Sequence, residues 1–343
     1  MTPPRVPEPL KRGATIGVTA PSSGVGPALV ERFAFCRRAV ESHGFRVQEG
    51  RCLFGDGVVS APAPDRAHEL SRMLLEPGWD AVIPPWGGEL LIEILPLLDF
   101  DALARATPRW LASWSDGTTL MLPMLLRSGW MTLHGLNFMD AAFQPAPGVA
   151  AWWEILSLPP GASFTQHAVG RLQRAFRDYR HEPHLHTWWL QEPTRWRTLG
   201  PEGPVEARGR LVGGCADVVA RLVGTPYGDL PRWAHDHGPT ILFLENAGMP
   251  ATDAARCWHQ LVLAGWTDHA TAILVGRTTA PEDDAYTQRQ ALEDALRPVL
   301  ARGIPVLVDV DIGHQPPQLL LVHGATAEVR YADGSGTIVQ TLA

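Results

Sequence analysis

A chain of 343 residues, 45% hydrophobic and 19% charged, is long enough for two domains and can bury a sizeable core. Its net charge of −7 offers no basic footprint, which argues against nucleic acid as a partner. Four cysteines (Cys36, Cys52, Cys215, Cys257) lack C-x-x-C spacing, so neither a zinc site nor a disulfide framework is expected, and no apolar run approaches membrane-spanning length.

The opening MTPPRVPEPLKRG has no apolar signal-peptide core, so the cytoplasm is the expected location. Residues 13–21, GATIGVTAP, read as a small-residue strand entering the loop PSSGVGP. That loop lacks the Gly-Lys-Ser/Thr ending and the full G-x-G-x-x-G spacing of a phosphate cradle, and reads as a plain turn. Apolar spacing predicts a helix from Ala28 to His43; FRVQEG reads as a second strand, the loop GVVSAPAPDRAHEL leads into a helix ending near Glu76, and WDAVIPPW reads as a third strand stopped by Gly87-Gly88. RWLASWSDGTTLMLPMLLRSGW (109–130) reads as a strand from Trp110 to Trp114, a sharp turn at Ser115 and an apolar helix starting near Thr118; WMTLHG is a short strand. Strands alternating with helices predict an α/β fold with a parallel sheet, whose ligands gather at the carboxyl ends of strands. Pro21, Gly87-Gly88, Ser115 and His134-Gly135 belong at that edge.

From about residue 160 to 208 the pattern breaks, which marks a functional lid or a linker. Trp188, Trp189 and Trp196 stand there, either anchoring the segment to the body or offering a stacking surface for a flat ligand group. The histidines of HEPHLH read as surface residues. A second α/β set follows: GRLVGGCADVVARLVGTPYG as strand, tight Gly-Gly turn and helix, GPTILFLEN as a strand ending on Glu245, then helices and strands through IPVLVDVDIGHQPPQ to a β-rich finish. The expected division is 1–160, an irregular 161–208, and 209–343.

Three polar residues follow strand signals: Ser115, Glu245 and His314. Small Ser113 and Gly117 flank the serine, as a strained strand-to-helix turn requires. A serine hydroxyl needs an imidazole to take its proton, and the imidazole needs a carboxylate to hold its tautomer. The backbone N–H groups of Asp116 and Gly88 are the candidate oxyanion donors.

The ordered motifs GATIGVTAPSS, WGGE, LPLLDFDAL, SWSDGTTL, LHG, GRLVGGC, LVGTPYG, ILFLEN, ILVGR and DIGHQPP resemble the LD-carboxypeptidase family of serine peptidases, most of all its microcin C self-immunity branch. The resemblance implies an N-terminal domain with nucleophile Ser115, a C-terminal domain with orienting Glu245 and base His314, and an active site between them. It also implies no metal or organic cofactor, a homodimer, and a small peptide or aminoacyl-nucleotide substrate. Cys215 stands where the family usually has Asn, and Met249 where the immunity branch often has Lys; both are expected to touch substrate. Glu89 and Leu90 replace an aromatic and a glycine. Three functions follow: an amidase of the immunity type, a murein LD-carboxypeptidase releasing D-alanine, or a binder that sequesters aminoacyl nucleotides without turnover.

Overall fold

The computed structural model describes residues 3–343. In chain order the elements are β1 (Thr15–Val18), α1 (Val30–Ser42), β2 (Arg46–Glu49), α2 (Ala63–Leu75), β3 (Ala81–Val82), α3 (Phe100–Arg105), β4 (Trp110–Ser113), α4 (Thr118–Ser128) and β5 (Leu133–His134). Next come α5 (Trp152–Ile155), β6 (Ser163–His167), β7 (Arg171–Leu172), β8 (Glu192–Pro193), β9 (Arg197–Leu199), β10 (Val205–Cys215), α6 (Ala216–Val219), α7 (Leu230–His237), β11 (Thr240–Glu245), α8 (Ala251–Leu263) and β12 (Ala270–Gly276). The chain closes with α9 (Gln288–Ala301), β13 (Val306–Val310), β14 (Leu321–Val322), β15 (Thr326–Ala332) and β16 (Ser335–Thr341).

The alternating first half builds a six-stranded sheet in the order β14-β5-β4-β3-β1-β2, parallel except for β14. The second half builds an eight-stranded sheet, β6-β16-β15-β10-β11-β12-β13-β9, with parallel β10 to β13 at its centre. Apolar runs such as ILFL in β11 are buried on both faces, as helix-covered parallel strands require. One core is shared between the halves: Leu74, Leu120 and Trp130 belong to the same buried cluster as Val212, Leu242 and Trp258. Two further cores fill the opposite faces, one around Ile16, Phe33 and Trp110, the other around Leu211, Phe243 and Leu274.

Three features differ from the sequence reading. The stretch 160–208 is irregular only in part, because β6 pairs with β16 and β9 pairs with β13 as the two edges of the second sheet. Residues 321–322 return from the last third of the chain to pair with β5 of the first sheet. Gly213-Gly214 is not a turn: β10 runs straight through it to Cys215. Gly214, at φ +132°, is there because a Cβ would lie 2.1 Å from Thr118 Cγ2, so only glycine lets β10 meet the start of α4.

Candidate active site

Ser115 sits two residues past β4, at φ +59°, a left-handed backbone that costs a non-glycine residue about 1–3 kcal/mol and persists where surroundings impose it. Those surroundings are small residues. A Cβ on Gly117 would lie 2.0 Å from Ser113 Oγ, and one on Gly87 would lie 2.7 Å from Ser115 Cβ and 2.9 Å from Asp116 N. The Asp116 carboxylate is buried and locks the turn: it accepts from Ser22 Oγ (2.6 Å), Leu91 N (2.9 Å) and Thr119 Oγ1 (3.0 Å). Its backbone N–H therefore faces the space that Gly87 leaves open. Gly88 turns its own Cα toward Ser22 and Ser23, so the glycine packed on the serine is Gly87. The start of α4 adds the positive end of a helix dipole.

Glu245 ends β11, fully buried, in register with Cys215 on β10. Gly276 and Gly313 make its room, since Cβ atoms on them would lie 2.8 Å and 2.7 Å from Glu245 Cβ. His314 follows β13 and reaches both partners. Its Nδ1 is 3.0 Å from each Glu245 oxygen, and its Nε2 is 3.0 Å from Ser115 Oγ. A carboxylate can only accept, so Nδ1 carries the proton and Nε2 accepts from the serine hydroxyl. Burial works against a charged ring here, but the Glu245 charge and hydrogen bond, with Asp217 and Asp140 further off, outweigh it and raise the His314 pKa above its ordinary value.

The pocket in front of Ser115 measures about 440 Å³ and is lined by Trp86, Trp114, Phe176 and Tyr179, with Arg177 and Arg180 among its polar residues. Trp86 and Tyr179 stack at 6.1 Å, and Asp140 ties the wall together by accepting from Trp114 Nε1 (3.2 Å) and Tyr179 Oη (2.9 Å). Burial lifts the Asp140 carboxyl above its usual range despite those donors and Arg32. None of these aromatics was singled out from sequence. Trp86 read as a strand residue in WDAVIPPW, and Tyr179 lies in the stretch where the sequence pattern breaks; only the fold brings them to one pocket.

The tryptophans that sequence did single out lie elsewhere. Trp196 is 1% exposed and core-packed, its Nε1 donating to Asp311 Oδ2 at 2.8 Å, so it offers no face to a ligand. Trp188 spends its ring on Phe143 (4.0 Å, 12° between planes) and its N–H on Gln144 O. Trp189 is exposed, with the Arg177 guanidinium 5.6 Å from its ring, and lies outside the pocket lining. Cys215 is buried against Glu245; burial, reinforced by the Glu245 and Asp217 charges, pushes its thiol well up. Met249 packs on the shared core, its carbonyl accepting from Asn246 and Gln288. Cys215, Glu245 and His314 place ligand atoms within 4.8 Å of one another, but Glu245 and His314 already bond each other and the thiol resists becoming a thiolate.

A serine, a histidine and a carboxylate in one hydrogen-bonded array, held at the strand ends of two α/β sheets, define the class of serine-histidine-carboxylate hydrolase sites. Residues 16–135 match the LD-carboxypeptidase N-terminal domain and residues 208–329 the LD-carboxypeptidase C-terminal domain. The chain belongs to the LD-carboxypeptidase family of serine peptidases. It is 24% identical over 352 residues to the microcin C7 self-immunity protein of Escherichia coli, covering 98% of this chain and 96% of that one. A solved structure of that immunity protein in complex with aspartyl sulfamoyl adenosine has the same fold, at a TM-score of 0.81 and 20% identity over 99% of both chains. The muramoyltetrapeptide carboxypeptidase of Oxalobacter formigenes shares it at a TM-score of 0.69 and 19% identity, over 96% of this chain and 99% of that one. Among the described residues no helix is long and apolar enough to cross a membrane.

Proposed function

We propose that this chain is a serine carboxypeptidase or amidase of the microcin-immunity type, cleaving the amide between an aminoacyl or peptidyl group and a nucleotide-like part. The observation that carries the reading is the position of His314, 3.0 Å from Ser115 Oγ on one side and 3.0 Å from Glu245 on the other, at the mouth of an aromatic pocket. Ser115 Oγ attacks the scissile carbonyl while His314 Nε2 takes its proton, and Glu245 holds the resulting imidazolium. The tetrahedral oxyanion is received by the N–H of Asp116 and by that of Gly88, which directly follows the Gly87 Cα packed on the serine, an interaction typically worth about 10²–10³ in rate per donor. His314 returns the proton to the leaving nitrogen, and water then hydrolyses the acyl-enzyme by the same route reversed. A nucleobase would lie on Trp86, Trp114, Phe176 or Tyr179, as flat rings favour aromatic faces.

A relative that binds aspartyl sulfamoyl adenosine supports this substrate class. The murein reading also has an observation in its favour. Arg177 and Arg180 line the same pocket, paired with Glu182 and Asp178, and by exchanging those partners would hold the free carboxylate of a departing D-alanine. Turnover of an aminoacyl sulfamoyl adenosine panel and of a murein tetrapeptide, followed by mass spectrometry in wild type and Ser115→Ala, separates them. Release of the adenosine-bearing product by wild type alone supports the immunity-type hydrolase. Release of D-alanine alone moves the chain to murein peptides, and tight binding with no product leaves a sequestering binder.

A further inference from the structure

A cavity of about 670 Å³ opens at the carboxyl edge of β11, β12 and β13. That size is within the roughly 300–1,000 Å³ of ligand pockets, and that edge is where open α/β sheets bind ligands. It shares no lining residue with the pocket in front of Ser115. The wall between them is one backbone thick: Gly276 lines the cavity and packs its Cα against Glu245, and Gln315 lines it beside His314.

An inventory of polar groups decides what the cavity can hold. The amides are spent. Asn246 donates to Met249 O (3.0 Å) and Gln288 Oε1 (3.1 Å), and Gln288 donates to Met249 O (2.9 Å) and Pro281 O (3.2 Å). The Thr278 hydroxyl donates to Asn246 O at 2.7 Å. Two carboxylates also line the cavity, Asp309 paired with Arg197 at 2.7 Å and Glu282 accepting from Gln288 N at 3.1 Å, so the free charged donors are arginines. Arg277 is 2% exposed; it donates to Asp311, Gln315 O and Pro317 O, yet its Nε is buried with no acceptor. Arg195 makes no ion pair among the described residues, and Arg289 uses only Nε, on Glu293 at 2.8 Å. Beneath them the floor is apolar, built from Leu199, Trp258, Val275 and Val308.

We infer that this cavity is a second binding site, taking a small organic anion whose carboxylate or phosphate head meets Arg195 and Arg289 and whose apolar body lies on the floor. The site is distinct from the Ser115 pocket and stands whichever substrate that pocket takes.

Isothermal titration of the full chain with N-acetyl-L-leucine, phenyl phosphate and neutral N-acetyl-L-leucinamide tests it. At least one anion should bind a single saturable site and the neutral amide should not; the better anion identifies the head group. Arg195→Gln with Arg289→Gln should weaken that binding about tenfold or more. Leu292→Trp, which fills the cavity from α9, should abolish it, and Trp86→Ala should leave it unchanged. No saturable anion binding, equal binding of the neutral amide, indifference to both cavity variants, or loss in Trp86→Ala would each overturn the assignment.

Discussion

Replacing His323 with asparagine should flatten the loss of stability that acid inflicts on this protein. His134 and His323 are both 0% exposed, their rings 6.0 Å apart, behind the strand that leads to Ser115. His323 Nδ1 meets Thr132 Oγ1 at 3.2 Å, while its Nε2 and both nitrogens of His134 are buried without partners. Burial pushes His323 down to about 3 and holds His134 well below the ordinary histidine value. Both rings therefore stay neutral in the folded protein and pick up protons only on unfolding. The unfolded chain binds more protons once pH falls below the unfolded value of about 6.5, so their effect is to lower stability as pH drops from there toward the folded pKa. At pH ~5 the gap of roughly 1.5 units costs about 2 kcal/mol for His323. His314 acts with the opposite sign: its raised pKa contributes stability below the unfolded value that is lost as pH rises through the folded one. That contribution is common to both proteins and cancels in the difference. Urea unfolding at about pH 7.5 and about pH 5, followed by tryptophan fluorescence and circular dichroism, should show His323→Asn losing about 2 kcal/mol less than wild type. Equal losses would refute the picture of a ring kept neutral by burial.

Other outcomes follow from the same geometry. With Glu245 holding the His314 pKa up, the acid limb of kcat/KM should lie above the ordinary histidine value. Glu245→Gln should move that limb down, because burial is then opposed only by the weaker pull of Asp217 and Asp140, and lower kcat by about 10³–10⁴-fold. Gly87→Ala should lower kcat by about 10²-fold, since its Cβ would lie 2.7 Å from Ser115 Cβ and 2.9 Å from Asp116 N and must displace the serine turn. Trp196→Ala should destabilise the fold by about 3–5 kcal/mol and leave KM unchanged in whatever protein remains folded, as expected of a core side chain. A raised KM would return Trp196 to the substrate.

What could be read from sequence, and what could not, divides along physical lines. The turn at Ser115 was legible because its steric demand is local: Ser113 and Gly117 must be small, and the contact a Cβ on Gly117 would make with Ser113 shows why. Glu245 and His314 were legible as polar residues at the ends of apolar strands, the places a parallel sheet exposes. The tryptophans were not. A ring in an aperiodic stretch carries no sign of whether it faces water or core, and Trp196 faces core because Gly336, about 140 residues later, leaves it space. The edge strands β6 and β9 were missed for the same reason, since their partners β16 and β13 lie more than a hundred residues away. Gly213-Gly214 looked like a turn, yet its purpose is the contact with Thr118 in the other half of the molecule.

A covalent acyl group on Ser115 should be caught by rapid-quench intact-mass spectrometry during turnover of the better substrate. An adduct of the acyl group's mass should map to the peptide containing Ser115, decay as product appears and be absent from Ser115→Ala. Undiminished turnover by Ser115→Ala, or an adduct on any other residue, would contradict this mechanism.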